Sequence, residues 1–351
     1  MSIFKSHIQA MSAYAPPLDG RDPDTHDLLD FNERTRPVSE GVQNALIDYI
    51  RSGRLQMYPA YANVVDRIAS YAGVSADHLM ITNGSDQGID LVFRSACQAG
   101  DEVIIPGPSF AMYSQCAGIE NVKVVAPFYT KDGGYPKDEV LAAITPKTRV
   151  IVVSNPNNPC GTLTSRDTIK EIALAAPHAA ILVDECYFEY TKLSVVDWIC
   201  ELPNLVVTRT FSKTWGLPSL RLGYVISAKE NVDALLNVRG PYDINQLAIV
   251  AIEAALSDIS SVHTYIDQVM NISKPMFETF LRENNVEFWS SDANFVWTFF
   301  NEPLAVEKAL RESGILVRPK QDKDGLMGLR ITLGTQEQTE TLIENIRRIC
   351  F

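Results

Sequence analysis

The chain of 351 residues is 46% hydrophobic and 21% charged, which is enough apolar material for a large core and favours one large and one small domain. Its formal net charge of −12 argues against a nucleic-acid partner. No apolar run reaches the length of about 18 residues that a membrane helix needs, so we expect no membrane span.

The six cysteines are scattered without a CxxC spacing, and the five histidines show no spacing typical of metal ligands. We therefore expect reduced thiols, with neither a disulfide framework nor a metal site. The N-terminus lacks the basic-then-apolar pattern of a secretory signal. Together these features predict a cytoplasmic protein.

Residues 1–40 contain few periodic apolar positions and predict a loop-like N-terminal arm, whereas residues 42–50 and 64–71 have helical spacing. From there on, short apolar runs alternate with amphipathic helical stretches. Seven runs predict strands, at residues 79–82, 102–105, 122–125, 150–153, 180–183, 205–207 and 222–226. This alternation is typical of an α/β domain in which helices sandwich a mainly parallel sheet.

The pattern changes after residue 239. A helical stretch at 246–283 is broken near 257–261, and short strands and helices follow it. These elements predict a separate, smaller α+β domain. We expect a large domain at residues 41–240. The N-terminal arm and a small C-terminal domain take residues 1–40 and 241–351.

The residues that directly follow the predicted strands are the candidates for function, because ligands of parallel sheets bind at the carboxyl ends of the strands. After the first strand, Gly84 permits close backbone approach, and the amides of Ser85 and Asp86 stand at the start of a helix. This turn predicts an anion cradle, although a plain helix N-cap explains it equally well.

Three further strand ends carry candidates, each with a plain structural alternative. Phe110 could stack on a planar ring or belong to the core. Asn158, in a loop with two Asn-Pro steps, could donate its amide to a ring hydroxyl or only shape a turn. Asp184 follows four apolar residues, where a buried carboxylate needs a cation such as a protonated pyridine nitrogen, unless it caps a helix.

Lys213 follows the apolar run at 205–207 and stands between two hydroxyl residues. A lysine at the mouth of a buried strand is costly unless it is paired, deprotonated or modified, and a Schiff base with a carbonyl cofactor is one solution. Ser212 and Arg221 could hold the phosphate of such a cofactor. Alone, this stretch is explained better by an ordinary lysine. Taken together, the strand-end candidates supply partners for the phosphate, ring face, hydroxyl, ring nitrogen and aldehyde of pyridoxal phosphate.

On these motifs the chain resembles the fold-type I pyridoxal-phosphate enzymes of the aspartate aminotransferase superfamily. The resemblance implies that Lys213 forms the Schiff base and that Asp184 pairs with the ring nitrogen. It implies that Asn158 and Tyr187 bind the ring hydroxyl. It assigns the remaining cofactor contacts to Ser85, Asp86, Thr210, Ser212 and Arg221 for the phosphate, and to Phe110 for the ring face.

Within this superfamily the chain is similar, over almost its whole length, to histidinol-phosphate aminotransferases. The matching motifs include residues 84–89, 154–161, 184–187, 209–224 and 328–335. This resemblance implies a histidine-biosynthetic enzyme that moves the amino group of L-histidinol phosphate to 2-oxoglutarate. It also implies a homodimer, with no nucleic-acid or membrane partner.

The same resemblance places the remaining contacts. Tyr58 would reach the cofactor phosphate in the neighbouring subunit, and Tyr14, Arg318 and Arg330 would bind substrate. In the small domain, arginines at the positions of Arg318 and Arg330 bind the anionic group of the substrate.

The chain departs from the family pattern at two places. The segment at 32–37 carries Arg34 and Arg36 near the expected substrate entrance, where their guanidinium groups are candidates for a second positive charge. Trp215 and Pro218 stand where Phe and Ala are more common.

Several alternatives stay open. They are an aminotransferase for aromatic or other amino acids, a threonine-phosphate decarboxylase, another decarboxylase or an oxidase with the same cofactor, and a catalytically silent homologue. A phosphate-binding module that uses residues 84–86 alone lacks the GxxxxGK[ST] motif and leaves Lys213 without a function.

Overall fold

The computed structural model describes residues 3–61 and 63–351. Its α-helices are, in chain order, α1 (Ser6–Ala10), α2 (Glu40–Arg51), α3 (Val64–Ala72), α4 (Gly84–Ala96), α5 (Ala111–Ile119), α6 (Lys137–Ala143), α7 (Arg166–Ala175), α8 (Phe188–Thr191), α9 (Lys229–Val238), α10 (Gln246–Ser257), α11 (Ser260–Asp267), α12 (Lys274–Glu283), α13 (Pro303–Glu312) and α14 (Gln336–Cys350). Its strands are β1 (Asp27–Leu28), β2 (Leu79–Thr82), β3 (Glu102–Ile104), β4 (Lys123–Val125), β5 (Thr148–Ser154), β6 (Ala180–Asp184), β7 (Leu205–Thr210), β8 (Gly223–Ser227), β9 (Glu287–Trp289), β10 (Phe295–Phe299), β11 (Ile315–Leu316), β12 (Arg318–Gln321) and β13 (Met327–Thr332).

A seven-stranded sheet forms the centre of the molecule, in the order β2-β8-β7-β6-β5-β3-β4. Strand β8 runs antiparallel to both of its neighbours, and the other neighbouring pairs are parallel. The predicted α/β class with a mainly parallel seven-stranded sheet is therefore confirmed. The strands differ from prediction only at their ends, where β5 and β7 continue into polar residues that are buried as well.

The central strands are continuous apolar runs because helices cover both faces of the sheet. Successive side chains alternate between the faces. Thus Ile151 and Val183 join one apolar cluster with helices α2, α3, α7 and α10, whereas Val152 and Leu182 join another with α4, α5 and α9. Each such side chain gains about 1.5–3 kcal/mol from burial, which is offset largely by the entropy lost on folding.

Helix α10 packs against α2 and α3, and its buried residues Ala248, Ile249, Ala251 and Ile252 belong to the cluster under the seven-stranded sheet. The division of the chain at residue 240 remains a prediction, and this packing favours a division after Ser257. Among the described residues, no single helix combines the length and apolar composition of a membrane span. The segments 246–257 and 260–283 meet those criteria only as a pair bent by 77°.

A second, antiparallel sheet has the order β12-β13-β10-β9. On one of its faces Leu329 and Ile331 are buried in an apolar cluster with α12, α13 and α14. The opposite face carries Arg330 and Thr332, whose side chains bond to the N-terminal arm.

The N-terminal arm, which was predicted to be loop-like, contains the short helix α1 and the strand β1. Strand β1 pairs in parallel with β11, with Asp27 opposite Ile315. Because this pairing joins residues far apart in the chain, local periodicity does not signal it. The pairing of β1 with β11 places the segment at 30–34 next to the loop that follows β7 of the seven-stranded sheet.

Candidate active site

A pocket with a cavity volume of about 120 Å³ lies at the carboxyl ends of β5, β6 and β7. It is lined by Ser85, Asp86, Phe110, Tyr113, Ser154, Asn158, Asp184, Cys186, Tyr187, Thr210, Ser212, Lys213 and Arg221. The structure thus brings together every residue assigned above to the cofactor except Tyr58. Tyr113, Ser154 and Cys186 were not assigned from the sequence.

Asp184 ends β6 and is 2% exposed. Its carboxylate accepts hydrogen bonds from the Tyr113 hydroxyl at 2.6 Å and from the Thr208 hydroxyl at 3.0 Å. Burial raises the pKa of this carboxyl to about 6, and the two hydrogen bonds oppose the rise only in part. Within residues 3–61 and 63–351 it has no salt-bridge partner, so its charged form calls for a cation inside the pocket.

Lys213 lies just beyond β7 and lines the same pocket as Asp184. Its ammonium donates a hydrogen bond of 2.8 Å to the backbone oxygen of Phe31. Burial lowers the pKa of Lys213. A lysine whose pKa is lowered is neutral more often, and the neutral amine is both the nucleophile and the base.

The loop that bears Lys213 is held by hydrogen bonds to Glu189, a buried carboxylate on α8. This residue was not assigned from the sequence. Glu189 accepts hydrogen bonds from the Trp215 indole at 2.9 Å, the Tyr71 hydroxyl at 3.2 Å and the Thr214 hydroxyl at 3.3 Å. Burial raises the pKa of Glu189. The position of Glu189 shortly after the buried strand β6 was the feature of the sequence that could have identified it. The polar indole of Trp215 supplies one of the partners of Glu189.

The predicted anion cradle is formed at the start of α4. Ser85 and Asp86 occupy its first turn, where backbone N–H groups have no acceptor within the helix. Gly84 has φ 70°, and a Cβ at this position would collide with the Arg221 guanidinium. Arg221 in turn donates to Asp86 at 2.8 Å and to Ser212 at 3.3 Å. A guanidinium, a hydroxyl and a positive helix end therefore converge, which suits a phosphate.

Aromatic side chains close two sides of the pocket. Phe110 packs edge-on against Tyr113 at 5.8 Å between ring centroids, and Tyr14 packs edge-on against Phe110 at 6.4 Å. Tyr187 is buried and accepts a hydrogen bond of 2.8 Å from the side-chain amide of Asn32. Asn32 was not assigned from the sequence, because only the pairing of β1 with β11 brings the arm to this place.

The second sheet contributes Arg330, which contacts the pocket-lining residue Asn158, and its neighbour Arg318, which lines a separate cavity with Arg21 and Asp30. Arg330 is 5% exposed and donates to the side-chain oxygen of Asn158 at 2.6 Å and to the backbone oxygen of Asp30. Arg318 lies directly opposite Arg330 in the β12–β13 register. Its guanidinium lies over the Phe31 ring, 5.3 Å from the centroid. Burial lowers the pKa of both arginines.

Arg34 does not supply the second charge that the sequence suggested. Its guanidinium donates to the backbone oxygens of Thr214 and Ser261, both at 3.4 Å, and lies over the Tyr265 ring. It therefore supports the loop that bears Lys213 and does not line the pocket. Arg36 is exposed. Of the two extra charges at 32–37, only Arg34 is engaged in packing.

Tyr58 lies outside the pocket of its own chain. Its side chain is 77% exposed, and its ring stacks on Tyr242 at 4.4 Å between centroids. The structure does not bring it to the other cofactor-site residues.

The fold and the pocket define an α/β enzyme in which a lysine, a buried carboxylate and an anion cradle surround one cavity. The chain belongs to the aminotransferase class I and II family, whose sequence profile matches residues 28–346. Members of this family are pyridoxal-phosphate-dependent transaminases. The predicted membership is therefore confirmed.

The more similar relatives belong to one branch of this family. The chain is 32% identical to a histidinol-phosphate aminotransferase of Cytophaga hutchinsonii, over 99% of this chain and 98% of that protein. It is also 32% identical to a histidinol-phosphate aminotransferase of a Thermoanaerobacter species, over 92% of each. Among solved structures, the histidinol-phosphate aminotransferase of Sinorhizobium meliloti, in complex with pyridoxal-5'-phosphate, has a TM-score of 0.88 at 21% identity. It covers 99% of this chain and 98% of that one.

Proposed function

We propose that this protein is a histidinol-phosphate aminotransferase, which transfers the amino group of L-histidinol phosphate to 2-oxoglutarate with pyridoxal phosphate as cofactor. The observation that carries the proposal is the pocket that joins Lys213, Asp184 and the start of α4 in one cavity. The relatives reported above support this substrate over aromatic amino acids and over threonine phosphate.

The residues of the pocket suit the cofactor. Asp184 is a buried carboxylate without a salt bridge among the described residues, and a protonated ring nitrogen would be its cation. At Gly84 the absence of a Cβ leaves room for the Arg221 guanidinium. Ser85, Ser212 and Arg221 would hold the phosphate, Phe110 would cover the ring, and Asn158 and Tyr187 would bind the ring hydroxyl. Asp86 and Thr210 shape the same cradle through their bonds to Arg221 and Ser212.

When bound, pyridoxal phosphate supplies an aldehyde that condenses with amines and a ring that accepts the electron pair released at the α-carbon of the donor. The chain supplies the proton transfers. The Lys213 amine, with its lowered pKa, would take the proton from the donor's α-carbon and would then deliver it to the C4′ carbon of the cofactor. Asp184 would hold a proton on the ring nitrogen, because a cation beside it stabilises its buried charge.

The substrate site must accept two kinds of anion. L-histidinol phosphate carries a phosphate and no α-carboxylate, whereas glutamate, the product of the second half-reaction, carries two carboxylates. A guanidinium can bind either anion through two parallel hydrogen bonds. Arg330 and Arg318, on paired positions of β13 and β12, suit this requirement, and Tyr14 stands beside them at the rim.

A homodimer completes this proposal. Tyr58 and Tyr242 form a stacked pair of exposed aromatic rings, and the exposed apolar residues Ile50, Leu55 and Met57 lie close to Tyr58 in the sequence. An exposed apolar patch of this kind marks a contact surface. In the dimer Tyr58 would reach the cofactor phosphate of the neighbouring subunit. The cysteines of the described chain are free, which is typical of the reducing cytoplasm that we propose as its location.

The first test concerns Lys213. The purified protein should bind pyridoxal phosphate with a visible absorbance that depends on pH, and borohydride should attach the cofactor to Lys213. The Lys213→Ala variant should stay folded, lose this label and keep only a trace of turnover. A variant that is labelled as well as the wild type at another lysine would contradict the assignment.

The second test compares histidinol phosphate with unphosphorylated histidinol as amino donors, with 2-oxoglutarate as acceptor. The wild type should prefer the phosphate ester by a factor of 10² or more in kcat/KM, on the order of 3 kcal/mol, as removal of one anion from a charged site implies. A wild type without this preference would make the protein an aminotransferase of broader range.

A further inference from the structure

A third cation lies beside the two arginines of the substrate site. In the antiparallel register of β12 and β13, Arg318 stands opposite Arg330, and Lys320 stands opposite Gly328. Residues two apart on a strand share a face, and so do residues directly opposite each other. Arg318, Lys320 and Arg330 therefore lie on one face of the second sheet, the face from which Arg330 reaches Asn158.

These three charges are not neutralised by the protein. Within residues 3–61 and 63–351, none of the three forms a salt bridge, and the half-buried side chain of Lys320 has no hydrogen-bond partner. The Nε atom of Arg330 is buried and has no hydrogen-bond partner in the part of the chain that the structure describes. Asp30, whose negative charge acts on both Arg318 and Arg330, forms a salt bridge with Arg21 at 3.0 Å.

The cost of this arrangement is visible at Lys320. Burial, with added repulsion from Arg330 and Arg318, lowers the pKa of its ammonium to about 8. A half-buried lysine that faces two arginines destabilises the protein unless an anion joins the group. In a chain whose net charge is −12, such a concentration of positive charge on one face indicates a binding site for a strongly charged anion.

We propose that Lys320 is a specificity-determining residue, whose ammonium binds the phosphate of the amino donor together with Arg318 and Arg330. The proposal rests on the function proposed above. A phosphate monoester carries a charge of about −1.5 to −2 at pH 7 and three acceptor oxygens, whereas a carboxylate carries one charge and two oxygens. A third cation therefore stabilises the phosphorylated donor more than the dicarboxylate that binds in the other half-reaction.

The test uses the cofactor-loaded enzyme and the variants Lys320→Gln, Lys320→Met and Lys320→Arg. The methionine variant keeps an unbranched apolar stem without the charge, and the arginine variant restores the charge. The matched control is Lys323→Gln, on the same hairpin, where the lysine is paired with Asp324 at the surface. Two quantities are measured for each: kcat and KM with histidinol phosphate and with glutamate, and the inhibition constant of inorganic phosphate against glutamate.

Loss of the charge should raise KM for histidinol phosphate about tenfold with little change in kcat, because the contact is made equally in the ground state and in the transition state. The inhibition constant of inorganic phosphate should rise by a similar factor, whereas KM for glutamate should change less than about threefold. Lys320→Arg should restore most of the loss, and Lys323→Gln should behave as the wild type.

Unchanged constants for both phosphate compounds in Lys320→Gln and Lys320→Met would overturn the inference, even in an enzyme that prefers the phosphorylated donor. An equal loss for histidinol phosphate and glutamate would also overturn it, because the lysine would then only support the site. A wild type that does not distinguish histidinol phosphate from histidinol would overturn the proposed function, and this inference with it.

Discussion

Arg330 donates a hydrogen bond of 2.6 Å to the side-chain oxygen of Asn158. The bond joins β13 of the second sheet to the loop that follows β5 of the central sheet. Because the oxygen of Asn158 is already engaged, its side-chain NH₂ is directed elsewhere and can donate to a ring hydroxyl in the pocket. The cation that we assign to substrate and the amide that we assign to the cofactor therefore position each other.

This relationship predicts that Arg330→Ala impairs both half-reactions and also weakens cofactor binding. Each half-reaction should lose on the order of 2–5 kcal/mol of transition-state stabilisation, as for removal of one partner of a buried charge pair. Arg318→Ala should mainly harm the reaction of the phosphorylated donor. Single-turnover kinetics measure the rate of each half-reaction, and a cofactor titration measures the affinity of each variant for pyridoxal phosphate.

A double-mutant cycle with Asn158→Ala tests the link directly. The cofactor affinities of Arg330→Ala, Asn158→Ala and the double variant should differ from additivity by about 0.5–3 kcal/mol, since residues in contact couple within that range. Additive losses would show that the two side chains act independently.

The buried carboxyl of Asp184 predicts how stability depends on pH in the cofactor-free protein. Its pKa is raised from 3.8 to about 6, so its contribution is fully present below pH 3.8 and is lost as the pH rises through 6. Between pH 5 and 7.5 the free energy of unfolding should shift by about 1.4 kcal/mol in favour of Asp184→Asn over the wild type. Urea denaturation of both proteins at several pH values gives this difference.

Pyridoxal phosphate provides the control for that comparison. With the cofactor bound, the wild-type carboxylate has its cation, so the wild type should become the more stable protein. The Asp184→Asn variant should also carry out half-transamination more slowly by a factor of about 10² or more, as for loss of a preorganised electrostatic partner. Stability curves that stay parallel across the pH range, with and without cofactor, would refute the assignment.

The hydrogen bond from Trp215 to Glu189 predicts a specific cost for Trp215→Phe. The substitution leaves a buried carboxylate without one of its donors, so the free energy of unfolding should fall by about 1–3 kcal/mol beyond the loss of packing. Urea denaturation and the pH dependence of the cofactor absorbance measure the effect on the fold and on Lys213. Trp297→Phe is the matched control, because the buried indole nitrogen of Trp297 has no hydrogen-bond partner among the described residues. Equal losses in the two variants would assign the whole effect to packing.

The exposed position of Tyr58 predicts a cofactor contact that exists only in a dimer. Tyr58→Phe keeps the ring that stacks on Tyr242 and removes the hydroxyl, so the dimer should persist while the affinity for pyridoxal phosphate falls about tenfold, the value of one lost hydrogen bond to a charged group. Analytical ultracentrifugation and cofactor titration measure the two properties. Tyr242→Phe should change neither. A wild type that sediments as a fully active monomer would rule the dimer out.

The central sheet and most of the residues that line the pocket could be predicted from the sequence alone. The strands around Val152 and Leu182 are short apolar runs. Such a run indicates a strand that is buried on both faces, and this inference needs no knowledge of the other elements. Once the sheet is parallel, the residues after each strand must meet at one edge, so Asp184 and Lys213 could be placed together without coordinates.

Only the tertiary structure decided which distant segments support that edge. The amide of Asn32 reaches Tyr187, and the four-stranded sheet sets Lys320 beside Arg330. Helix α10 packs against α2 across the cluster under the central sheet, although it follows the predicted domain division. Hydrophobic periodicity reports whether a side chain is buried but not which element covers it. The partners of Glu189 and Arg34 are set by packing between elements far apart in sequence, and that information exists only in the folded chain.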